Sequence, residues 1–485
     1  MILEDNKSDK GITAKKNENF DEWYLQLVTK SDLFDYGPLK GTMAMKPDSY
    51  EIWEKIQDVF NSMIKESGHR NAYFPLLIPE SLLKTEKEHF EGFTPEVFWV
   101  THAGDNETSE RLAIRPTSET IIYHFMSKWI RSWRDLPLLL NQWVNVLRAE
   151  IKMTKPFHRT SEFLWQEGHT AHATQEDAEK EVALTLGYYK KLAEEYLAVP
   201  VITGKKSEKE KFAGAVYTTT IEGMMPDGKA LQMGTSHYLG QNFAKPFDVA
   251  FLNEKEEKAY AHTTSWGVST RLIGGMLMVH GDDKGLVLPP KVAPTQVVIV
   301  PIFKTDNESI VMQRANEIKK ALDSSGIRTR IDSRNTYSPG WKFNEWEMKG
   351  VPIRIELGNK EVQENKITYA RRDSGEKATC TTDDAIKTIA NALEEVQKAL
   401  FENAKRLLES KTIKVSDYGE FKKKIEEKAG FVIAYWCEED ECEEKIKDET
   451  KATTRVIKED TNASSQKCIY CGKEAKKIAY FARAY

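Results

Sequence analysis

Two arginines lie near the facing ends of two segments that a short polar loop joins. Arg148 is close to the end of NQWVNVLRAE (141–150), and Arg159 is close to the start of HRTSEF (158–163). Two strands connected in this way can direct both guanidinium groups at one phosphate, because the planar guanidinium donates paired hydrogen bonds to phosphate oxygens. Phe163 offers a flat ring on which a base can stack. A hairpin with surface ion pairs would give the same pattern, so this segment alone leaves both interpretations open.

A third arginine lies at a predicted junction between a strand and a helix. In TSWGVSTRLIGGMLMVHGDDKGLVLPP (264–290), Gly267 and Arg271 precede a helix that contains Gly274 and Gly275. Glycine lets a ligand or a strand approach the backbone, and an arginine at a helix start can bind the distal phosphates of a nucleotide. A packing helix with an exposed arginine is the alternative, and this segment by itself favours it.

Four of the five cysteines form two pairs near the end of the chain, Cys437 with Cys442 and Cys468 with Cys471. Paired cysteines in two clusters indicate structural zinc, because four thiolates complete a tetrahedral site and leave no open position for catalysis. Two reduced pairs without a metal are the alternative. Cys380 stands alone and is expected to be an ordinary thiol.

The composition predicts a soluble globular protein with about three domains. The chain has 485 residues, of which 40% are apolar and 30% charged, with a formal net charge of −5. This charge argues against a protein coated in positive charge for non-specific binding of nucleic acid, although a local basic face is still compatible with RNA. No apolar run predicts a membrane span, and the polar start of the chain resembles no secretory signal, so a cytoplasmic location is expected.

The elements that must position these residues fall into regions of different texture. Residues 20 to about 290 are rich in aromatics, and the three prolines of VLPPKVAPTQ (287–296) predict a break in regular structure. Strand and helix patterns then alternate, which predicts a small, mostly parallel α/β domain. Its predicted strands are 296–303, 327–334 and 351–357, and its predicted helices are 308–322 and 341–350. A long amphipathic helix is predicted from apolar residues at helical spacing, namely Ile386, Ile389, Leu393, Val396 and Leu400.

Three segments taken together resemble the motifs of class II aminoacyl-tRNA synthetases. The first is NAYFPLLIPE (71–80), a helix-to-strand passage whose Pro75 implies a dimer interface. The second is Arg148-x-Glu150 with Arg159-x-x-x-Phe163, and the third is the segment from Gly267 to Arg271. Within that class, five segments resemble the prolyl-tRNA synthetase family in its archaeal and eukaryotic form: RPTSET (115–120), FLWQEGHTAH (163–172), GTSHYLGQNF (234–243), PGWKFNEWEMKGVPIRIELG (339–358) and the cysteine-bearing tail.

The resemblance implies an α+β fold built from a class II antiparallel sheet with flanking helices, an α/β anticodon-binding domain and a small C-terminal α/β zinc-binding domain. The implied boundaries are a flexible N-terminus at 1–20, a catalytic domain at 21–290, an anticodon-binding domain at 291–405 and a zinc-binding domain at 406–485. A homodimer that does not bind a membrane is expected. The carboxyl end at Tyr485 is expected to fold back toward the catalytic domain.

The implied activity is the ATP-dependent attachment of L-proline to tRNA(Pro) through a prolyl-adenylate, with release of pyrophosphate and AMP. The ionised carboxylate of proline is itself the nucleophile, so the enzyme must mainly align the reactants and neutralise charge. Two other interpretations are a sister enzyme of the same class, such as a threonyl or glycyl one, and an inactive relative that binds RNA. The presence of all three arginines disfavours the inactive relative.

The resemblance also implies a set of site residues. The catalytic arginines are Arg148, Arg159 and Arg271. The proline site comprises Thr117, Glu119, Arg148, Trp165, Glu167, His169, Phe212 and His237. The ATP site comprises Arg148, Glu150, Arg159, Thr160, Phe163, Gln232, Thr235, Ser269 and Arg271. Mg²⁺ is expected with ATP, with Glu150 and Glu222 as candidate ligands. The anticodon contacts are Glu347, Arg354 and Lys360, and the ligands of the structural Zn²⁺ are Cys437, Cys442, Cys468 and Cys471.

Simpler interpretations remain for some of these residues. His169 and His237 taken alone could be core histidines, and the three anticodon residues could be ordinary charged side chains. Two absences refine the prediction. A threonyl enzyme would need a cysteine ligand in its catalytic domain, yet no cysteine precedes Cys380. The stretch between Phe163 and Gly267 is too short for an editing insertion, so no hydrolytic editing is expected, and alanine or cysteine should be activated detectably.

Overall fold

The computed structural model describes residues 11–87, 96–149 and 154–485. Within these described ranges, the first region contains the α-helices α1 Phe20–Lys30, α2 Pro47–Glu66, α3 Glu80–Lys87, α4 Glu119–Trp129, α5 Gln175–Lys191 and α6 Arg271–His280. Its strands are β1 Phe34–Tyr36, β2 Met43–Met45, β3 Arg70–Asn71, β4 Leu77–Pro79, β5 Trp99–Ala103, β6 Asn106–Ile114, β7 Leu138–Leu147, β8 Glu162–His172, β9 Val201–Lys205, β10 Tyr217–Met224, β11 Ala230–Gly240, β12 Ala250–Leu252, β13 Lys258–Tyr260 and β14 His262–Ser269.

The centre of this region is an antiparallel sheet in the order β9-β10-β11-β14-β8-β7, with β3 added in parallel at the edge. Helices α2 and α5 cover one face, where Phe60 and Tyr189 pack against the fully buried Trp266 of β14. Gly168 on β8 lies directly opposite Trp266, and a Cβ atom there would come within 2.1 Å of the indole ring. A side chain at Gly168 would therefore separate the two central strands.

The first motif is an extended segment that follows α2. It includes the end of β3, which pairs with β7 of the central sheet, and β4, which pairs with β6 in a separate sheet. Pro75 lies between the two strands and is exposed. Upstream, residues 11–19 belong to the stretch that was expected to be flexible. They contact α1 and α6: the Gln26 side chain accepts a hydrogen bond from the backbone N–H of Thr13 at 2.8 Å, and Lys16 Nζ donates to the carbonyl of Val279 at 3.1 Å.

The second region is an α/β unit with a five-stranded sheet in the order β16-β15-β17-β18-β19. Its elements are β15 Val297–Ile302, α7 Glu308–Ser324, β16 Thr329–Ile331, α8 Pro339–Met348, β17 Ile353–Gly358, α9 Asn359–Gln363, β18 Lys366–Arg371 and β19 Lys377–Thr381. The prediction of a mostly parallel sheet is wrong, because β17–β18 and β18–β19 pair antiparallel. These two strands were not predicted from the sequence because both carry many polar residues and neither shows a continuous apolar run.

Helix α10, Ala385–Ser410, is longer than the predicted amphipathic helix and joins the regions. Val396 and Leu400 pack with Ala198 and Val287 of the first region. Ile386, predicted on the apolar face, is exposed instead. The proline-rich segment 287–296 is irregular, as predicted, and is largely buried between the regions.

The C-terminal region extends the central sheet. It contains β20 Thr412–Lys414, α11 Tyr418–Glu426, β21 Phe431–Trp436, α12 Asp440–Thr450, β22 Thr453–Lys458 and β23 Lys477–Ala482. Its strand order is β20-β21-β23-β22, and β22 meets β9 at the single pair Ile457–Lys205. One eleven-stranded sheet therefore runs from the cysteine-bearing tail to β3. Among the described residues, no helix is long and apolar enough to cross a membrane.

Candidate active site

The central sheet forms the wall of a cavity of about 290 Å³. All eight residues predicted to contact proline line it, namely Thr117, Glu119, Arg148, Trp165, Glu167, His169, Phe212 and His237. Of the residues predicted only for ATP, four line it, namely Phe163, Gln232, Thr235 and Ser269. Arg271 lines it as well. Most of both predicted sets therefore share one cavity.

The alternation of side chains along β8 explains how one short segment supplies so much of this wall. Phe163, Trp165, Glu167 and His169 are spaced two residues apart, so their side chains project from the same face of the strand. On the other side, β14 is in register with β8 and contributes Ser269 opposite Trp165. The order of residues along the strand thus becomes their order along the cavity.

One end of the cavity is acidic. Glu167 Oε1 accepts a hydrogen bond from Gln142 at 2.6 Å and another from Ser118, and Glu167 Oε2 lies 3.1 Å from His169 Nε2. Burial alone would lower the pKa of His169, but the hydrogen bond to Glu167 and the charges of Glu119 and Glu167 raise it above its ordinary value. Burial would raise the pKa of Glu167, but the same hydrogen bond lowers it.

Glu119 is the second carboxylate at this end. It is the first residue of α4, and it accepts a hydrogen bond from the Thr117 hydroxyl. With Glu167 engaged by His169, Glu119 supplies the negative charge available to a cationic ligand. A secondary ammonium suits this arrangement because a buried cation needs a facing carboxylate.

The opposite wall is flat and uncharged. Phe212 and His237 have ring centroids 4.8 Å apart, and burial together with the charge of His169 lowers the pKa of His237 to about 3. Thr218 holds both residues, since its Oγ1 accepts from the Phe212 backbone N–H at 2.9 Å and lies 2.8 Å from His237 Nδ1. No pattern in the sequence singles out Thr218, because a threonine in a β-strand is ordinary.

The other end of the cavity is basic. Arg148 Nε donates to the carbonyl of Pro116 at 3.1 Å, and its guanidinium lies 5.4 Å from the rings of both Phe163 and Trp165. Arg271 Nε donates to the carbonyl of His158 at 3.2 Å. Burial and the neighbouring charge of Arg148 lower the pKa of Arg271 to about 10, which leaves the side chain protonated at neutral pH.

Two predicted ATP residues lie elsewhere, and for a third the structure gives no position. Arg159 is exposed and lines an adjoining cavity of about 470 Å³, which Arg271 also lines. Thr160 is buried and does not line either of these two cavities. Glu150 lies outside the described residues. Two of the three arginines therefore meet in the main cavity, and Arg159 faces the adjoining one.

Glu222, the other candidate ligand for Mg²⁺, does not fit that role. It is fully buried and lies 2.6 Å from Lys206 Nζ, while Arg455 Nη2 contacts its two oxygens at 3.0 and 3.1 Å. Burial would raise its pKa, but these two cations lower it. The carboxylate is thus an internal counter-ion rather than an open metal ligand.

The carboxyl end of the chain reaches the adjoining cavity. The Ala230 N–H donates to the carbonyl of Arg483 at 2.8 Å, and the Tyr485 hydroxyl donates to Asp227 at 2.7 Å. The ring centroids of Tyr485 and His158 lie 4.4 Å apart. The expected return of the tail to the catalytic region is therefore present.

The four tail cysteines come together as a metal site would require. Their Sγ atoms all lie within 4.8 Å of one another, with Cys437 3.6 Å from Cys442 and 3.8 Å from Cys471. A zinc ion about 2.3 Å from each thiolate of a tetrahedron implies sulfur separations of about 3.8 Å. Cys468 completes the set, so the donor geometry fits a Cys₄ site. Cys380 lies apart on β19.

Family models of known proteins match most of the chain. A model described as tRNA synthetase class II core domain (G, H, P, S and T) matches residues 98–280. One described as anticodon binding domain matches 296–392, and one described as prolyl-tRNA synthetase, C-terminal, matches 418–485.

Full-length relatives give the same result. The chain is 54% identical to the proline–tRNA ligase of Cenarchaeum symbiosum, with 98% of this chain and 99% of that protein covered. It is 53% identical to the proline–tRNA ligase of Acetoanaerobium sticklandii over all of both chains. The chain belongs to the prolyl-tRNA synthetase family. The predicted family is therefore confirmed.

A solved member of the prolyl-tRNA synthetase family has the same fold. The crystal structure of the enzyme from Cryptosporidium parvum complexed with halofuginone and AMPPNP is 46% identical, with a TM-score of 0.94 over 98% of this chain and 100% of that one. The predicted fold class is also confirmed, with a class II core, an anticodon-binding domain and a C-terminal cysteine cluster that can bind zinc.

Two of the three predicted anticodon residues meet in this prolyl-tRNA synthetase fold. Glu347 and Arg354 line a cavity of about 120 Å³, in which Lys284 Nζ contacts Glu347 at 3.2 Å. Arg354 contacts Glu356 at 2.9 Å and lies 4.2 Å above the Phe343 ring. Lys360, whose side chain is 80% exposed, is not part of this cavity.

Proposed function

We propose that this chain joins L-proline to tRNA(Pro) in two steps, with a prolyl-adenylate as intermediate and with release of pyrophosphate and AMP. The observation that carries the proposal is the arrangement of charges along one cavity, which is acidic at one end and basic at the other. Its acidic end holds Glu119 beside the flat pair Phe212 and His237, and its basic end holds Arg148 and Arg271. An imino acid and a triphosphate fit this order of charges.

In the first step the carboxylate of proline attacks the α-phosphorus of ATP, and the pyrophosphate leaves. The protein needs no general base, because the nucleophile is already ionised. Glu119 orients the secondary ammonium while the apolar ring packs between Trp165 and Phe212. Arg148, between these groups and the phosphates, neutralises charge at the reacting centre, and Phe163 stacks with adenine.

Arg271 stabilises the departing pyrophosphate, because it lines both cavities and remains protonated at neutral pH. Arg159 supplies a second cation from the adjoining cavity. In the second step a terminal ribose hydroxyl of tRNA attacks the prolyl carbonyl and AMP leaves. The cavity containing Glu347 and Arg354 is the proposed contact for the anticodon, with Lys360 on the neighbouring surface.

Two metals belong to the proposal. Mg²⁺ is expected with ATP, whose phosphate oxygens are its usual ligands, and no step is assigned to a protein carboxylate that holds it. Zn²⁺ is proposed at Cys437, Cys442, Cys468 and Cys471, where four protein ligands give a structural role.

The remaining parts of the proposal concern assembly, location and accuracy. A homodimer is supported by an exposed apolar surface around Pro75, where Tyr73 is 73% exposed and Leu77 38%. A cytoplasmic location is proposed. The absence of hydrolytic editing is proposed because Phe163 and Gly267, on neighbouring strands, are joined mainly by strands β9, β10 and β11 and helix α5 of the core.

The test is pyrophosphate exchange into ATP by the purified chain with each amino acid in turn. Proline should give the highest kcat/KM, and alanine and cysteine should be activated weakly. Exchange that depends on threonine or glycine, or no exchange with any amino acid, would contradict the proposal. The tRNA step is checked by charging of tRNA(Pro) with labelled proline, and rapid release of alanine from mischarged tRNA would contradict the absence of editing.

A further inference from the structure

The loop between β9 and β10, residues 206–216, forms part of the main cavity; it is called the pocket loop below. It contributes Glu210, Lys211 and Phe212 to the lining. Thr218 holds its first residue and its middle: the Lys206 N–H donates to the Thr218 carbonyl at 2.9 Å, and the Phe212 N–H donates to the Thr218 Oγ1 at 2.9 Å. The position of the loop therefore sets how closely Phe212 approaches a ligand.

The middle of the pocket loop is attached to the C-terminal region. Ser207 Oγ donates to Glu443 Oε1 at 2.7 Å, and both residues are buried. Lys209 forms an ion pair with Glu444. Glu210, which lines the cavity, lies 3.7 Å from Arg455 Nη1. Three contacts within four residues thus join the loop to α12 and β22.

Arg455 also contacts β10, the strand that follows the loop. Besides Glu210, its guanidinium contacts both oxygens of Glu222 on β10, and Glu222 in turn contacts Lys206 at the start of the loop. These charges are almost completely buried, so their geometry is strongly constrained. The loop, β10 and β22 consequently share one network of ion pairs.

The attachment points lie next to the cysteine cluster. Cys442, Glu443 and Glu444 are consecutive residues in the first part of α12. Any group that holds Cys442 in place, such as the metal proposed above, also fixes the two glutamates that contact the loop. The cluster is in this way connected to the cavity through the chain's own side chains.

We propose that Glu443, Glu444 and Arg455 are positioning residues for the amino-acid end of the cavity, because they hold the pocket loop where Phe212 closes on the ring of the substrate. The inference rests on the proposed function. The C-terminal region thus serves binding of the amino acid, and not only stability of the fold. Phe212 lies beside His237 at the amino-acid end, whereas Glu222 of the network is paired with Gln232 nearer the basic end. Loss of the contact between Ser207 and Glu443, which holds the loop that carries Phe212, should therefore affect proline binding more than ATP binding.

The experiment compares five full-length proteins: the unsubstituted chain, Ser207→Ala, Glu443→Ala, the double variant of these two, and the control Glu449→Ala. Glu449 is on the same helix and carries the same charge, but its hydrogen bonds are to Tyr418 and Tyr470 of the C-terminal region. Pyrophosphate exchange gives KM for proline and KM for ATP separately, and hydrogen exchange of residues 206–216 reports the order of the loop.

The proposal predicts that Ser207→Ala and Glu443→Ala raise KM for proline about tenfold and change KM for ATP less than about twofold. The double variant should be no worse than either single one, because both remove the same contact. Amide exchange in the pocket loop should accelerate in both variants. Glu449→Ala should leave both KM values and the loop unchanged.

Two results would overturn the proposal. One is an unchanged KM for proline in Ser207→Ala and Glu443→Ala. The other is an equal rise in KM for proline and for ATP, which would indicate general loosening. If Glu443→Ala does not fold, Ser207→Ala decides, because it alters only the loop side of the contact. Failure of the unsubstituted chain to exchange would instead contradict the proposed function, so that measurement comes first.

Discussion

At the scale of single residues, the acidic end of the cavity contains two carboxylates, Glu167 and Glu119, which have different hydrogen-bond partners. Glu167 is occupied by His169, Gln142 and Ser118, whereas the hydroxyl of Thr117 contacts Glu119. Glu167 is engaged by His169 at 3.1 Å and by two further side chains, so Glu119 is the carboxylate left to face a cationic ligand. A single residue, Glu119, therefore carries most of the recognition of a secondary ammonium.

Replacing Glu119 tests whether its negative charge recognises the secondary ammonium. Glu119→Gln keeps the shape and removes the charge, so kcat/KM for proline should fall about 100-fold, or about 3 kcal/mol. The measurement is pyrophosphate exchange as a function of proline concentration. Glu176→Gln, at an exposed position of α5, is the control and should leave the rate unchanged. An equal effect of both substitutions would contradict the role of Glu119.

The pair of His169 and Glu167 predicts a dependence of stability on pH. The pKa of folded His169 is raised above its ordinary value of 6.5, so the pair stabilises the fold fully below pH 6.5 and less as pH rises through the raised value. The difference in free energy of unfolding between the unsubstituted chain and His169→Gln should therefore shrink with rising pH. Urea denaturation from pH 6 to pH 9 measures it.

His237 provides the opposite sign as a control. Its folded pKa is lowered to about 3, so the unfolded chain binds the proton first as pH falls below 6.5. The stability of the unsubstituted chain relative to His237→Gln should thus decrease below pH 6.5 and stay constant above it. The same pH profile for both substitutions would contradict the assigned protonation states.

At the scale of elements, β8 and β14 pack together in the cavity wall with the Trp266 ring of β14 directly against Gly168 of β8. Gly168→Ala would place a methyl group against Trp266, so the free energy of unfolding should fall by about 2–4 kcal/mol. Urea denaturation measures this change. Gly187→Ala on α5 is the control, since an added Cβ there meets nothing within 4 Å and should stabilise the helix by about 0.5–1 kcal/mol. Equal stability of the Gly168 variant and the unsubstituted chain would refute the close approach.

Some features of these elements can be predicted from the sequence, and others cannot. The spacing of Phe163, Trp165, Glu167 and His169 predicts a common face, because alternation along a strand is a local property. The motifs likewise placed Arg148 beside Arg271. Contacts between distant segments have no such pattern. Glu222 and Arg455 are separated by 233 residues, and β22 meets β9 through a single residue pair, so neither contact has a signature in the sequence.

Local spacing did not predict the surroundings of two side chains, because tertiary packing determines them. Arg159 was predicted to meet Arg148 and Arg271; it shares the adjoining cavity with Arg271 but does not line the cavity that contains Arg148. Glu222 was predicted as a candidate metal ligand, but its carboxylate pairs with two buried cations, Lys206 and Arg455. In both positions the residue type was informative, but the orientation depends on neighbours that are remote in sequence.

At the scale of the whole molecule, the cysteine cluster and the active site belong to one continuous sheet. Metal removal should therefore lower stability. One zinc per chain is expected by elemental analysis, and Cys442→Ser should lose it and reduce the free energy of unfolding by at least about 3 kcal/mol. Cys380→Ser should retain the metal. Unaltered zinc content in Cys442→Ser would contradict the assignment of the four ligands.

The exposed apolar surface around Pro75 predicts how two chains assemble. Tyr73→Asp would place a charge in a buried contact, so the dimer should weaken at least about tenfold, as measured by sedimentation velocity over a range of concentrations. Ile310→Asp, an exposed position on α7, is the control and should leave assembly unchanged. A monomeric unsubstituted chain at micromolar concentration would contradict the proposed dimer.

The central claim is that one cavity holds an imino acid at its acidic end and a triphosphate at its basic end. A crystal structure of the chain with proline and a non-hydrolysable ATP analogue tests it most directly. We expect the ammonium within hydrogen-bonding distance of Glu119, the ring beside Phe212, and phosphate oxygens in contact with Arg148 and Arg271. Phosphates bound away from both arginines, or proline bound outside this cavity, would contradict it.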